Sequence, residues 1–172
     1  PMFDSILAAA GNTEDEILRI AASLDQGSEH PLAAAIVAEA RKRNLVLSMP
    51  ETFESSTGIG VRGHVDGKSV DLGNTKLMSD VGADISGLQA EAEARRATGA
   101  SVMFLAIDGK FAGLLSVADP IKESTSKALD ALREIGIRVI MATGDGVTTA
   151  KSVAEKLSID EVHGEVRPQD KL

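Results

Sequence analysis

Several short stretches of this sequence carry residue types suited to phosphate or heterocycle chemistry. Thr143-Gly144-Asp145-Gly146 follows the apolar run Val139 to Ala142 and precedes a stretch with helical spacing. A loop so placed lies at the carboxyl end of a parallel strand, where open α/β sheets put their ligands. A threonine hydroxyl and the N–H groups of a helix start can hold phosphate oxygens there, and Asp145 can hold a hydroxyl or orient the loop. The same residues also make an ordinary Asp-Gly turn that caps the next helix. Lys171 is a compact ammonium able to neutralise a transferred phosphoryl group, although a lone lysine is usually solvated surface and gains meaning here only jointly with Thr143.

Ser28-Glu29-His30-Pro31-Leu32 stands where one predicted helix ends and the next begins. An imidazole at a helix N-terminus can stack on, or hydrogen-bond to, a planar heterocycle such as adenine; equally, Ser28 or His30 can cap a helix that Pro31 starts. Gly58-Ile59-Gly60 offers two positions where backbone can approach a phosphate chain that any Cβ would obstruct, and it also reads as a turn or bulge between strands. Asn74, after Gly73, is a ligand group or an N-cap. His64 and His163 have no partner at metal-ligand spacing, so both read as structural and no metal site is expected.

The elements that must position these residues follow from periodicity. Asn12 or Thr13 can cap a helix with Ile17, Leu18, Ile20, Ala21 and Leu24 on one face and Glu14, Asp15 and Glu16 in its first turn. A second helix runs from Pro31 to the basic cluster Arg41, Lys42, Arg43. The first third is thus expected to be helical. Glu51 to Gly73 predicts three antiparallel strands, with a hairpin turn at Asp66-Gly67. A short helix over Asn74 to Val81 and a longer one over Ile85 to Thr98 come next, then a hairpin, Ser101 to Ile107 and Lys110 to Val117, about Asp108-Gly109. After Ala118 the pattern turns to helix (about Lys122 to Glu134), strand (Val139 to Ala142), helix (about Thr148 to Leu157) and a strand near Val162, as in a parallel α/β sheet buried on both faces. The fold class expected is α/β: an α+β domain over 1–117 joined to an incomplete parallel α/β domain over 118–172.

Composition narrows the function classes. Among 172 residues 43% are apolar and 26% charged, and no apolar run approaches the roughly 18 residues of a membrane span. A net charge of -8 with 2% aromatics disfavours a nucleic-acid surface. Without cysteine there is neither disulfide nor thiolate chemistry. The start at Pro1-Met2-Phe3 and the end inside what reads as a new helix suggest a piece of a longer protein.

Taken in order, Ser28-Glu29-His30-Pro31-Leu32, Gly58-Ile59-Gly60, Gly73-Asn74, Asp119-Pro120-Ile121-Lys122, Thr143-Gly144-Asp145 and Pro168-Gln169-Asp170-Lys171 resemble the cytoplasmic ATP-binding region of the heavy-metal P-type ATPases, most closely the copper-exporting branch. The resemblance covers essentially the whole chain. It implies a nucleotide-binding domain, with an antiparallel sheet of about six strands flanked by helices, joined to part of a haloacid-dehalogenase-like phosphorylation domain. The implied nucleotide set is Asp25, Glu29, His30, Gly58, Gly60 and Asn74: His30 against adenine, Asp25 reading its amino group where many relatives have Glu, the glycines near the phosphates. Thr143, Asp145 and Lys171 are the implied catalytic, phosphoryl-binding set, and Asp119-Pro120 the hinge.

The family's phosphorylated Asp-Lys-Thr-Gly-Thr stretch and its magnesium-binding Gly-Asp-Gly-x-Asn-Asp stretch do not occur in this sequence. By resemblance, then, the chain binds ATP or ADP with Mg²⁺ held largely elsewhere. Its partners are the remaining phosphorylation, actuator and transmembrane domains of one bacterial plasma-membrane pump, with this part in the cytoplasm. Silver, zinc or cadmium are alternative cargoes. A soluble haloacid-dehalogenase-like phosphatase and a pure docking module are the alternative functions.

Overall fold

The computed structural model describes residues 1–119, 123–144 and 146–166. The chain divides into two compact units, one of Pro1–Ala92 with Val102–Ala118, the other of Glu93–Ser101 with the residues from Asp119 onward.

The first unit is built on a six-stranded antiparallel sheet in the order β1-β6-β5-β4-β3-β2. Its strands are β1 (Met2–Ala8), β2 (Thr52–Ser56), β3 (Gly60–Val65), β4 (Lys68–Gly73), β5 (Ala100–Ile107) and β6 (Lys110–Ala118). The first third is therefore not wholly helical. Met2 to Ala8 lacks a clean polar alternation and runs on into the alanines Ala9 and Ala10, so nothing local marks a strand. Long-range pairing with β6, Ile6 opposite Leu115 and Leu7 opposite Leu114, makes it one. Both Asp-Gly hairpin turns form as expected, with positive φ at Asp66 and Gly67 and at Asp108 and Gly109.

Helices α1 (Glu14–Asp25) and α2 (Pro31–Lys42) pack on one face of this sheet, burying Ile17, Leu18, Leu24 and Ile36 against Val61, Val65, Leu72 and Leu105. Of the two candidate caps, Thr13 is the one used: its Oγ1 accepts from Glu16 N at 3.2 Å. On the other face Leu77 and Met78 of α3 (Thr75–Val81) and Ala92 at the start of α4 (Gln89–Ala97) pack with Phe104 and Leu114. The single helix expected over Ile85 to Thr98 begins instead as a 3₁₀ turn, Ser86–Leu88. There Asp84 Oδ1 accepts from Ser86 N at 2.9 Å, a side-chain bond that competes with a regular helical start.

The second unit holds α5 (Glu123–Glu134), β7 (Ile140–Ala142), α6 (Val147–Lys156) and β8 (Glu161–His163), with β7 and β8 parallel, as the alternating pattern predicts. Among its described residues Ala100, Leu129, Ala150, Ala154 and Leu157 are buried and apolar. The strand expected to be covered on both faces is less buried than its composition suggests: Ile140 is 51% exposed, because among the described residues this sheet has only two strands.

Candidate functional site

A cleft of about 340 Å³ opens in the first unit where the end of α1, the start of α2, the β2–β3 turn and the end of β4 converge. Asp25, His30, Gly58, Gly60 and Asn74 all line it. Five of the six residues expected around the nucleotide thus come together in space. The sixth, Glu29, is exposed and is not part of the lining.

His30 is the N-cap of α2. Its Nδ1 accepts from Leu32 N at 3.2 Å, while its own N–H donates to Ser28 Oγ, also at 3.2 Å. An Nδ1 that accepts places the proton of the neutral ring on Nε2, so the ring edge away from the helix is a donor. Pro31 contributes no N–H and fits the first helical position. The helix start thus fixes the imidazole's orientation, and its exposed ring is left as one wall of the cleft.

Asp25, the last residue of α1, is only 4% exposed, and among the described residues its carboxyl accepts no hydrogen bond. Burial alone pushes its pKa up to about 7. Such a carboxyl faces the cleft with its hydrogen-bonding capacity unused by the described protein groups.

The two expected glycines differ. At Gly60 (φ +147) a Cβ would lie 2.4 Å from the carbonyl oxygen of Leu72 and 2.6 Å from Gly73 Cα, so this glycine is required by close approach of β3 to β4. At Gly58 (φ +73) a Cβ would meet nothing within 4 Å, which leaves the tip of the turn open backbone. Asn74 holds that tip. Its Nδ2 donates to the Gly58 carbonyl at 2.8 Å, and its Oδ1 accepts from Lys76 N and Leu77 N at 3.0 and 3.1 Å, capping α3. Asn74 is both N-cap and brace for the glycine turn.

Residue spacing alone did not single out Ser55, Ser56 and Thr57, whose hydroxyl-bearing side chains border the same turn, nor Met103 on β5, which joins the apolar lining. The run of three hydroxyl residues before Gly58 was the available signal. The cleft's described lining includes neither lysine nor arginine.

In the second unit Thr143 follows β7 directly, as expected. Its N–H donates to the His163 carbonyl and its carbonyl accepts from Val166 N, both at 2.9 Å, so the loop leaves the carboxyl end of the parallel strand. Asp119 is exposed just after β6. Asp145, Lys171 and Pro120 lie outside the described residues. No group of three or more His, Asp or Glu able to hold a metal ion occurs among the described residues. No described helix is long and apolar enough to cross a membrane.

A family model described as haloacid dehalogenase-like hydrolase matches residues 4–172. The chain belongs to that family. Within it, the chain is 46% identical over 171 residues to a copper-transporting P-type ATPase of Rhizobium leguminosarum bv. viciae, an alignment covering 99% of this chain and 20% of the relative. This haloacid dehalogenase-like chain therefore spans about a fifth of the length of that relative. Among solved structures, a zinc-transporting PIB-type ATPase in its E2·Pi state matches with a TM-score of 0.78 at 25% identity, over 99% of this chain and 27% of that one. The N-domain of HMA8, a copper-transporting P-type ATPase, matches with a TM-score of 0.58 at 25% identity, over 69% of this chain and 100% of that one. The likeness to heavy-metal P-type ATPases carried by the sequence motifs thus extends over the whole chain, in sequence and in fold.

Proposed function

We propose that this chain is the ATP-binding region of a copper-transporting P-type ATPase, with residues 1–117 as nucleotide-binding domain and 118–172 as part of the phosphorylation domain. The observation that carries this reading is the cleft in which a buried, hydrogen-bond-free Asp25 faces the same space as the oriented imidazole of His30 and the open turn at Gly58. An adenine ring lies against the imidazole; its exocyclic amine donates to the Asp25 carboxyl, which no described protein group fills. The triphosphate runs along the Gly58 turn, where no Cβ intrudes and where backbone and hydroxyl groups serve as donors. Glu29 takes no direct part in this arrangement.

Thr143, Asp145 and Lys171 are assigned to the phosphoryl-handling set and Asp119-Pro120 to the hinge. Catalysis in such a system is positioning and charge neutralisation, with the acceptor aspartate supplied by a part of the pump beyond this sequence. Mg²⁺ is not assigned to any described residue. The placement that follows is cytoplasmic, in a bacterial plasma-membrane protein, with the other domains of the same pump as partners. Copper as cargo rests on the 46% identity to a copper transporter, and the Ser28-to-Leu32 motif leans the same way.

Calorimetry with ATP and ADP on the wild type and on His30→Asn tests the reading. Asparagine keeps a cap on α2 and removes the ring, so folding is preserved and nucleotide affinity falls about tenfold or more if the ring stacks on the base. Equal affinity in the two proteins overturns the role given to His30. Turnover of a small phosphate ester by this chain, abolished by replacing one of its aspartates, overturns the pump assignment in favour of a phosphatase.

A further inference from the structure

Three features of Asp25 act together to keep a proton on its carboxyl. The residue is 4% exposed, its side chain makes no hydrogen bond among the described residues, and it is the last residue of α1. At a helix C-terminus the unpaired carbonyl groups disfavour a further negative charge. The elements around the cleft bring no cation to offset this. From the start of α2 comes His30, whose Nδ1 accepts from Leu32 N and so holds the ring in its neutral form. The β2–β3 turn contributes hydroxyls and backbone, the end of β4 contributes Asn74, and β5 contributes Met103; neither lysine nor arginine occurs in the described lining. Glu29 is exposed and stands outside it. With burial as the cause, the Asp25 pKa is raised to about 7, so the free protein holds this group as a neutral acid on the acid side of that value.

A neutral acid and a carboxylate are not equivalent toward an amine. An N–H bond to a carboxylate is roughly twice as strong as one to a neutral acceptor, so an amine that donates to Asp25 favours the ionised form. Linkage makes the effect reciprocal: what the ligand does to the proton, the proton does to the ligand's affinity by the same factor.

We propose that base binding in this cleft is proton-linked: the adenine amine donates to Asp25 as the carboxyl O–H gives up its proton, so that nucleotide binding releases a proton and weakens in acid. The O–H electron pair stays on the carboxylate, the proton passes to water, and the amine keeps both of its hydrogens. This rests on the nucleotide reading and adds control of the same site by pH.

The test is amide NMR on the 172-residue chain, titrated at a series of pH values with adenosine, which carries no titrating phosphate, and with purine riboside, which keeps the ring and lacks the amine. Wild-type affinity for adenosine is expected to fall about tenfold from about pH 8 to about pH 6, and to level off above that range. Saturating adenosine moves the titration midpoint of the Asp25 carboxyl carbon resonance to lower pH. Asp25→Asn binds adenosine with an affinity that does not vary with pH and lies near the wild-type value at about pH 6. Purine riboside gains nothing toward high pH. His30→Asn separates the second titratable side chain of the described lining: it weakens adenosine at every pH and keeps the same ratio between the ends of the range.

Affinity that is flat with pH in the wild type, a carboxyl midpoint that moves upward, the wild-type pH response retained in Asp25→Asn or seen with purine riboside, or loss of the response in His30→Asn overturns the proposal and leaves base binding standing. Absence of saturable shifts with adenosine at every pH overturns the nucleotide reading and the proposal with it, so the two failures are distinguishable.

Discussion

Replacing Asp25 by asparagine separates what this carboxyl does for the fold from what it does for a ligand. In the folded chain burial holds its pKa at about 7, against 3.8 for the unperturbed group. Below about pH 4 both folded and unfolded forms are protonated and the burial carries no ionic cost. Between about pH 4 and about pH 7 the unfolded chain releases a proton that the folded chain retains, so stability falls with rising pH by roughly 1.4 kcal/mol for each pH unit. Above about pH 7 both forms are ionised and the loss levels off, at a ceiling of about 4 kcal/mol. That is a large share of the roughly 5–15 kcal/mol by which domains are stable. An amide of the same shape has nothing to ionise. Asp25→Asn is therefore expected to match the wild type near pH 4 and to exceed it by several kcal/mol near pH 8, as read by urea unfolding across that range. Contributions from other titrating groups cancel in the difference curve. The same variant binds ATP about tenfold more weakly at pH 8, because the charge-assisted acceptor for the base is gone. Parallel stability curves for the two proteins would refute the burial argument, and unchanged ATP affinity would refute the ligand role.

The two glycines give opposite outcomes. Gly60→Ala drives a Cβ to within 2.4 Å of the Leu72 carbonyl and is expected to destabilise the first unit severely, seen as a large drop in thermal midpoint. Gly58→Ala meets no atom and costs only about 1 kcal/mol for its positive φ, yet it lowers nucleotide affinity because the new methyl borders the phosphate path. Asn74→Ala removes the cap of α3 and the brace on Gly58 together, for a loss of about 1–2 kcal/mol by denaturant titration. Its effect on nucleotide affinity is expected to be smaller than that of His30→Asn measured by the same calorimetry.

The parts of the fold that announce themselves locally were legible in the sequence. Thr13 with three acids behind it, Pro31 at a helix start and the two Asp-Gly dipeptides each encode a boundary in a few neighbouring residues, and the structure uses each one. β1 was not legible, because Met2 to Ala8 has no polar–apolar alternation and becomes a strand through pairing with residues more than a hundred positions away. The same distinction holds at the candidate site. That His30 begins a helix is local information; that Asp25 is buried without a side-chain hydrogen bond among the described residues is set by the tertiary fold, and no spacing rule reveals it.

The structural and ligand-binding readings of the motif residues do not compete, and what separates them is the bonding capacity each side chain has left. Asn74 spends its Oδ1 on two backbone N–H groups and an N–H on the Gly58 carbonyl, so its work is largely done within the protein. Gly60 is consumed by the contact between β3 and β4. His30 spends Nδ1 on Leu32 and keeps Nε2 and both ring faces, and Asp25 spends no side-chain hydrogen bond among the described residues. On the proposed reading, a nucleotide in this cleft draws its base specificity from position 25 and its stacking surface from position 30, while the glycine turn and Asn74 set the distance between base and phosphates. Variants at the first pair should change which base is bound, and variants at the second pair how far along the phosphate chain the protein can follow it.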